Sequence, residues 1–223
     1  SQGGEVMQLV LLGAPGAGKG TQGEFLEKEF SLVRIATGDL LRAAMAEGTE
    51  LGHQAKAYVS RGELVPDELV TELVKDRLQA PDTTQGFILD GFPRNVAQAQ
   101  SLEDFLSASG RGTVTALYLE VDQEALLKRL TGRRVCPKCK ASFHLTNRPP
   151  KQEGKCDACG SQLVQRPDDT EQVIRHRLEV YRRETEPVLD FYAARGQLKR
   201  VDGNGDLDEI FSSILKVLGA AKR

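Results

Sequence analysis

The chain of 223 residues carries 30 Lys+Arg against 32 Asp+Glu, which gives a formal net charge of −2 at pH 7. This length allows one globular unit with a proper hydrophobic core, and the balanced charge gives no argument for nucleic acid or a membrane surface as a partner. The longest apolar run, at 9–13, is too short to cross a bilayer, and residues 1–5 lack a charged, apolar signal segment, so we expect a cytoplasmic protein.

Apolar runs alternate with amphipathic runs along the chain. MQLVLL precedes TQGEFLEKEF, LVRIA precedes GDLLRAAMAEG, GFILD precedes NVAQAQSLEDFLSAS, and TALYLEV precedes QEALLKRL. A long helical stretch, DTEQVIRHRLEVYRRETEPVLDFYAAR, then leads to LKRVD and to a last helix, DLDEIFSSILKVLG. Because parallel strands need crossover connections that are usually helical, the pattern predicts an α/β fold with a five-stranded parallel sheet and helices on both faces.

Two segments interrupt this alternation. Residues 37–66 contain two short helical patterns separated by Gly48, and Pro66 suits the first turn of the helix that follows. Residues 132–166 hold all four cysteines and show no sustained periodicity, which predicts a compact insertion. We therefore expect a core formed by 1–36, 67–131 and 167–223, with a helical flap at 37–66 and a lid at 132–166.

The stretch GAPGAGKGT at 13–21 has the strand, loop and helix context of a phosphate-binding loop of the P-loop NTPase type. Glycines let several backbone N–H groups point at one anion, the helix start adds partial positive charge, and Lys19 would be the point charge on the outer phosphates. Gly20 stands where such loops usually place a serine or threonine, so Thr21 or water would have to complete the shell of a Mg²⁺ ion. The alternative is a glycine-rich turn with a surface lysine.

Two further motifs follow predicted strands. In ATGDLLR, Thr37 or Asp39 could cap the next helix, and Arg42 could equally be a solvated surface residue. In LDGFPRNVAQAQ, Asp90 ends a buried strand and Arg94 follows at its carboxyl end, where open α/β sheets bind ligands. The alternative is that Asp90 caps a turn and Arg94 pairs at the surface.

The four cysteines form two pairs, CPKC and CDAC. Cys136, Cys139, Cys156 and Cys159 have the spacing that brings two thiolate pairs round one tetrahedral ion. We expect a structural Zn²⁺ site, which iron or cobalt can also occupy. Redox-active pairs or buried apolar cysteines are the alternatives.

Five motifs together resemble the adenylate kinase family over essentially the whole chain, in the form with a long lid: GAPGAGKGT, ATGDLLR, LDGFPRNVAQAQ, TGRRVCPKC and RPDDTEQVIRHRL. The resemblance implies transfer of the terminal phosphoryl group of ATP to AMP, giving two ADP, with Mg²⁺ on the nucleotide. It also implies a monomer whose partners are ATP, AMP and ADP.

The resemblance assigns residues to each nucleotide. Those that would hold ATP are Gly16, Ala17, Gly18, Lys19, Gly20, Thr21, Arg129, Arg133, Ser142, Phe143 and Gly205. Those that would hold AMP are Thr37, Arg42, Glu63, Leu64, Val65, Gly91, Phe92, Pro93, Arg94 and Gln98, with Gln98 and Thr37 as readers of the adenine. Arg166 and Arg177 would bridge the two nucleotides, and Asp90 would orient Mg²⁺ through water. Gly205 departs from the family pattern, in which a lysine region contacts the ATP base, so only a backbone contact is expected there.

Three rival interpretations remain open from the sequence. The first is a nucleoside monophosphate kinase for UMP or CMP, or one that uses GTP. The second is a zinc-ribbon nucleic-acid-binding module fused to an ATPase, although the cysteine-containing segment lacks the interleaved aromatic residues that stack on bases. The third is an adenylate sensor without catalytic activity.

Overall fold

The computed structural model describes residues 6–61 and 63–219, so the prediction about a signal segment at 1–5 lies outside the described residues. The strands are β1 (Gln8–Leu12), β2 (Val33–Ala36), β3 (Phe87–Asp90), β4 (Thr115–Glu120), β5 (Arg133–Val135), β6 (Ser142–His144) and β7 (Leu198–Asp202). The helices are α1 (Lys19–Phe30), α2 (Thr37–Glu47), α3 (Glu50–Ser60), α4 (Asp67–Leu78), α5 (Val96–Ala108), α6 (Gln123–Thr131), α7 (Glu171–Glu184), α8 (Glu186–Ala194) and α9 (Leu207–Val217).

The predicted five-stranded parallel sheet is confirmed, with the strand order β2-β3-β1-β4-β7. After β1 the chain forms β2 and β3 on one side of this strand and later β4 and β7 on the other, so the direction of strand addition reverses at β1. Ligands of open α/β sheets bind beside the carboxyl ends of the strands at such a reversal. The loop after β1 and the turn after β3 therefore lie next to each other.

Both faces of β1 are buried, as a central parallel strand requires. Leu9 and Leu11 pack in one cluster with residues of α1, α6 and α9, while Val10 and Leu12 pack on the other face with residues of α4, α5 and α8. Since side chains alternate along a strand, the four apolar residues in a row contribute to two separate core layers. The sheet is thus held between helices on both faces.

The long helical stretch predicted near the carboxyl end is two helices, α7 and α8, which meet at Thr185. Pro187 lies in the first turn of α8, where its missing N–H needs no partner, whereas within a continuous helix it would remove a hydrogen bond. The predicted stretch is helical, but this proline divides it into two helices.

Residues 37–66 contain the two expected helices. Gly48 ends α2 with φ +67°, and Thr49 caps α3 by accepting a hydrogen bond from the Gly52 N–H at 3.0 Å. Pro66 is the N-cap residue of α4 and therefore precedes the first turn in which it was expected.

Residues 132–166 contain the two-stranded antiparallel pair β5–β6 and a small cluster of buried side chains. In the part of the chain that the structure describes, we find no helix that is both long and apolar enough to span a membrane.

Candidate active site

The phosphate loop has the geometry that its sequence predicts. The loop leaves β1 at Gly13, and α1 begins at Lys19. Gly16 and Gly18 adopt φ values of +83° and +95°, which side chains other than glycine rarely tolerate. The Ala17 N–H donates to the Ala14 carbonyl at 3.0 Å, which closes the turn. The first turn of α1 points its unpaired N–H groups toward the carboxyl edge of the sheet, which favours an anion there.

Lys19 is folded against the loop that it follows. Its Nζ donates to the Gly13 carbonyl at 2.9 Å. Burial lowers the pKa of Lys19, the negative charge of Asp90 raises it, and the positive charge of Arg94 lowers it. The ammonium group is therefore destabilised by its burial, and an anion beside it would favour the charged form.

Helix α6 supports the underside of the loop. A Cβ atom at Gly16 would lie 2.9 Å from Leu130 Cγ, so only glycine fits there. Arg129 donates to the carbonyls of Gly16 at 3.3 Å, Ala17 at 3.4 Å and Gly203 at 2.6 Å. Arg129 thus ties the phosphate loop to the segment that follows β7, and it reaches the main chain of Gly203 rather than that of Gly205.

One cleft of about 340 Å³ brings three of the predicted segments together. The loop contributes Gly13 and Lys19, the turn after β3 contributes the sequence from Gly91 to Arg94, and helix α7 contributes Arg177. Lys19, Arg94 and Arg177 give this cleft a positive wall. Such a wall can stabilise the charge on phosphate oxygens.

The turn after β3 approaches the start of α2 closely. Gly91 has φ +83°, and a Cβ atom at this position would lie 3.0 Å from Thr37 Oγ1. Thr37 is the first residue of α2, Ala36 is the N-cap residue, and no side chain caps this helix. The prediction that Thr37 or Asp39 caps it was therefore wrong.

Arg42 is exposed and forms an ion pair with Asp39 one turn earlier in α2. Glu63, Leu64 and Val65 precede α4 without regular structure, and the Leu64 side chain is 93% exposed. The Glu63 N–H donates to the Tyr58 carbonyl at 3.0 Å, which ties the start of this stretch to the end of α3.

Gln98 is buried, and both ends of its amide contact main chain. Its Oε1 accepts from the Arg94 N–H at 2.8 Å, and its Nε2 donates to the Asp67 carbonyl at 3.2 Å. A carboxamide has two lone pairs and two N–H groups, so each end keeps the capacity for one more hydrogen bond. Gln98 fixes the conformation around Arg94 and retains groups that could read a base.

Arg133 and Arg166 do not line the 340 Å³ cleft among the residues that the structure describes. Arg133 forms a bidentate pair with Asp169, at 2.8 Å and 2.6 Å, and the Asp169 side chain is fully buried. Arg166 is exposed. The structure thus holds Arg133 against Asp169 and leaves Arg166 in solvent.

The two residues predicted to lie near the ATP base differ in environment. Ser142 is exposed, whereas Phe143 is buried with Cys136, Cys156 and Leu163 in the interior of the lid segment. The Phe143 side chain therefore stabilises the lid, and its main chain pairs with Arg134 in the β5–β6 ladder.

The four cysteine sulfurs converge on one point. All four Sγ atoms lie within 4.8 Å of one another, with Cys136 to Cys159 at 3.4 Å and Cys139 to Cys156 at 3.5 Å. These distances exceed the S–S bond length of about 2.05 Å, so the sulfurs are not paired in disulfides. A hydrogen bond from the Ser161 side chain is the main cause that lowers the pKa of Cys159 to about 6. Four converging sulfurs fit a tetrahedral metal ion, which binds cysteine as the thiolate.

Two residues that shape the site were not predicted from the sequence. Asp169 holds Arg133, and its only sequence signal is a second acid after Arg166 in RPDD. Leu130 packs beneath Gly16, and its periodic apolar position in α6 did not reveal which surface it contacts. Both roles depend on contacts between segments that are distant in sequence.

Comparisons with known proteins agree with this site. The family model described as adenylate kinase matches residues 11–197. An adenylate kinase of Thermodesulfovibrio yellowstonii is 56% identical over 212 residues, covering 95% of this chain and 99% of the relative. Adenylate kinases of Clostridium perfringens strain SM101 and Caldicellulosiruptor bescii are each 50% identical, covering 97% and 96% of this chain and 100% and 99% of the relatives. On this evidence, the chain belongs to the adenylate kinase family.

Proposed function

We propose that this phosphotransferase moves the terminal phosphoryl group of ATP to AMP, giving two ADP, and so balances the cell's adenine nucleotides. The observation that carries the proposal is the single cleft in which the phosphate loop, the turn after β3 and Arg177 meet. Two nucleotides entering from opposite sides would place their phosphates against the same positive wall. Family membership supports the same reaction.

On the donor side, we propose that the loop main chain from Gly16 to Thr21 holds the ATP phosphates. Lys19 exchanges its hydrogen bond with the Gly13 carbonyl for the outer phosphate oxygens, which offsets the cost of its burial. Arg129 supports the loop from below, and the Gly205 region contacts the base through main chain alone. Arg133, Ser142 and Phe143 approach ATP from the lid.

On the acceptor side, AMP occupies the space between the flap and the turn after β3. Arg42 leaves Asp39 to bind the AMP phosphate together with Arg94, and the stretch 91–94 lines the site. Thr37, the main chain at 63–65 and Gln98 recognise the adenine. Gln98 uses the lone pair and N–H group that its main-chain contacts leave available.

Transfer requires little covalent chemistry from the protein. Charge on the equatorial oxygens of the moving phosphoryl group is stabilised by Lys19 together with Arg94, Arg133, Arg166 and Arg177. Asp90, at the end of β3, orients nucleotide-bound Mg²⁺ through water. When bound, Mg²⁺ supplies further positive charge on the phosphate oxygens.

We propose that the chain is divided into a core and two closing parts, with the boundaries that the sequence indicates. The flap at 37–66 covers AMP, and the lid at 132–166 covers ATP and brings Arg166 to the cleft. Closure would exclude water, which otherwise competes with AMP for the phosphoryl group. Transfer between nucleotides then prevails over hydrolysis.

We also propose that the four cysteines hold a structural Zn²⁺ ion in the lid. The donor set supports this metal, since four converging sulfurs give a closed tetrahedral shell with no position for substrate. Thiols outside disulfides fit a reducing compartment, so we place the protein in the cytoplasm. We expect a monomer, which light scattering at assay concentration would check.

An activity assay tests the reaction directly. Protein mixed with Mg²⁺, ATP and AMP should produce two ADP for each ATP used, with no free phosphate. Phosphate release without ADP accumulation would contradict the proposal.

The base specificity needs a panel of acceptors. We expect kcat/KM to be greatest for AMP when AMP, UMP, CMP and GMP are compared with ATP as donor, and for ATP when GTP is offered instead. A preference for another base would assign the chain to a different nucleoside monophosphate kinase. Binding of a labelled RNA or DNA oligonucleotide at moderate salt would support the zinc-ribbon alternative.

A further inference from the structure

Arg34 contacts two elements that carry predicted site residues, helix α1 and strand β3. The residue belongs to β2, and its side chain is 23% exposed. Its Nη1 donates to the Gly20 carbonyl in the first turn of α1 at 3.3 Å and lies 3.8 Å from Asp90 Oδ2 at the end of β3. One guanidinium thus connects the helix that carries the phosphate loop to the acid assigned to Mg²⁺.

A second acid fixes the orientation of this guanidinium. Arg34 Nε forms an ion pair with Glu27 Oε2 in α1 at 3.2 Å. Gly20 and Glu27 belong to α1 and Asp90 to β3, so the planar group has partners on two elements. Its fork geometry makes such an arrangement more specific than a lysine could provide.

Gly23 makes room for the Arg34 side chain. A Cβ atom at position 23 would lie 3.0 Å from Arg34 Cδ and 3.3 Å from Leu11 Cδ1. Glycine within a helix costs about 1 kcal/mol relative to alanine. Glycine at position 23 thus lowers the stability of α1 and leaves the space in which the Arg34 side chain extends past this helix toward Asp90.

Asp90 therefore faces a cation on each side. Its charge raises the pKa of Lys19 against the effect of burial, and Arg34 lies near its other flank. A carboxylate whose charge is shared between two cations attracts a third one less strongly. Arg34 is not among the described residues that line the 340 Å³ cleft, so it would act on a nucleotide in that cleft through Asp90 and Gly20.

We propose that Arg34 is a positioning residue that weakens the retention of nucleotide-bound Mg²⁺ by sharing the negative charge of Asp90. The inference rests on the proposed function, which assigns Asp90 to Mg²⁺. Weaker retention lets the Mg·ADP product leave, while the contact with Gly20 keeps the first turn of α1 in place.

The test compares Arg34→Met, which removes the charge and keeps much of the stem, with Arg34→Lys, which keeps the charge. Calorimetric binding of ADP is measured in buffer without added magnesium and at a series of free Mg²⁺ concentrations, with the lid metal left in place. We expect Arg34→Met to lower the half-saturating Mg²⁺ concentration about fivefold. This is the effect of one solvent-screened Coulomb interaction at a separation such as the 3.8 Å between Arg34 Nη1 and Asp90 Oδ2. Arg34→Lys should stay within about twofold of the parent protein, because the charge remains.

Arg200→Met is the matched control. Arg200 lies on β7 at the opposite edge of the sheet and pairs with Glu120 at 3.7 Å, so this variant removes the same charge away from Asp90. It should leave the half-saturating Mg²⁺ concentration unchanged. An unchanged or higher value for Arg34→Met, or an equal decrease for Arg200→Met, would overturn the inference.

Asp90→Asn separates this inference from the proposed function. If Asp90→Asn alters the Mg²⁺ dependence and Arg34→Met does not, the role of Arg34 is refuted and that of Asp90 stands. If Asp90→Asn has no effect, the assignment of Asp90 fails.

Gly23→Ala gives a second, independent variant. Displacement of the Arg34 stem should shift the Mg²⁺ dependence in the same direction as Arg34→Met. Adding Gly23→Ala to Arg34→Met should cause no further shift, because the side chain that it displaces is already replaced. Additive shifts would contradict a shared mechanism.

Discussion

Removal of the metal that we propose for the lid should unfold the lid and leave the core folded. Apart from cysteine, the buried cluster of the lid contains only two side chains, Phe143 and Leu163. Burial of both contributes about 3–6 kcal/mol, whereas a structural Zn²⁺ ion in a small domain contributes about 10–16 kcal/mol. A metal held by the four cysteines would thus be the largest stabilising contribution in this segment, and the remaining apolar contacts would be too few to replace it.

Hydrogen exchange measured residue by residue is the most direct assay. The Val135 N–H donates to the Val164 carbonyl at 2.9 Å, which makes it a reporter of lid structure. After chelation, its protection should fall by several orders of magnitude, while amides of β1 keep theirs. Cys139→Ser, which replaces an exposed ligand without opening a cavity in the buried cluster, should act in the same direction.

Gln162→Ala is the control, because it changes an exposed lid residue and leaves the sulfurs intact. Its lid should keep full protection. If protein shown by elemental analysis to be free of metal retained protected lid amides, the argument that the metal holds this segment together would be refuted.

Lys19→Met should lower kcat by about two to three orders of magnitude through loss of charge at the phosphates, yet it should not lower the melting temperature at pH 7. Burial lowers the pKa of Lys19, so the charged lysine destabilises the fold below that pKa. The parent protein should therefore gain stability relative to the variant as the pH rises toward the pKa of Lys19 in the unfolded chain. A stability deficit of Lys19→Met that grows at low pH would contradict this. Arg94→Ala should raise KM for AMP more than KM for ATP in steady-state assays, and equal increases would argue against its place on the acceptor side. Glu103 is 3% exposed, and burial raises its pKa. In denaturant titrations, Glu103→Gln should raise the free energy of unfolding by about 1 kcal/mol at pH 8, where the parent carboxyl is charged, and by less at pH 5. A larger gain at pH 5 than at pH 8 would contradict this expectation. Gly16→Ala should destabilise the protein by about 1–2 kcal/mol or more, because of its positive φ and the contact with Leu130, and thermal unfolding that matches the parent protein would refute the close approach.

The sheet was predictable because its signals are local. The apolar run of β1 and the glycines of the loop after it are read within about a dozen neighbouring residues, and all five strands of the sheet lie where the apolar runs predict them. The helix breaks were less accessible. Pro187 stands within a pattern that remains helical on both sides, so the amphipathic period alone did not show that α7 ends at Glu184.

The sequence by itself determined the chemistry that the chain can perform: the glycines and Lys19 of the phosphate loop, the arginines, and the spacing of the four cysteines each carry a requirement that few other residue types satisfy. Tertiary structure alone decided which of these groups share a cleft and what holds them. The bidentate pairing of Arg133 with buried Asp169 and the approach of Arg34 to Asp90 join residues on different elements. Such contacts leave no periodic trace along the chain, because they arise where separate elements pack against one another.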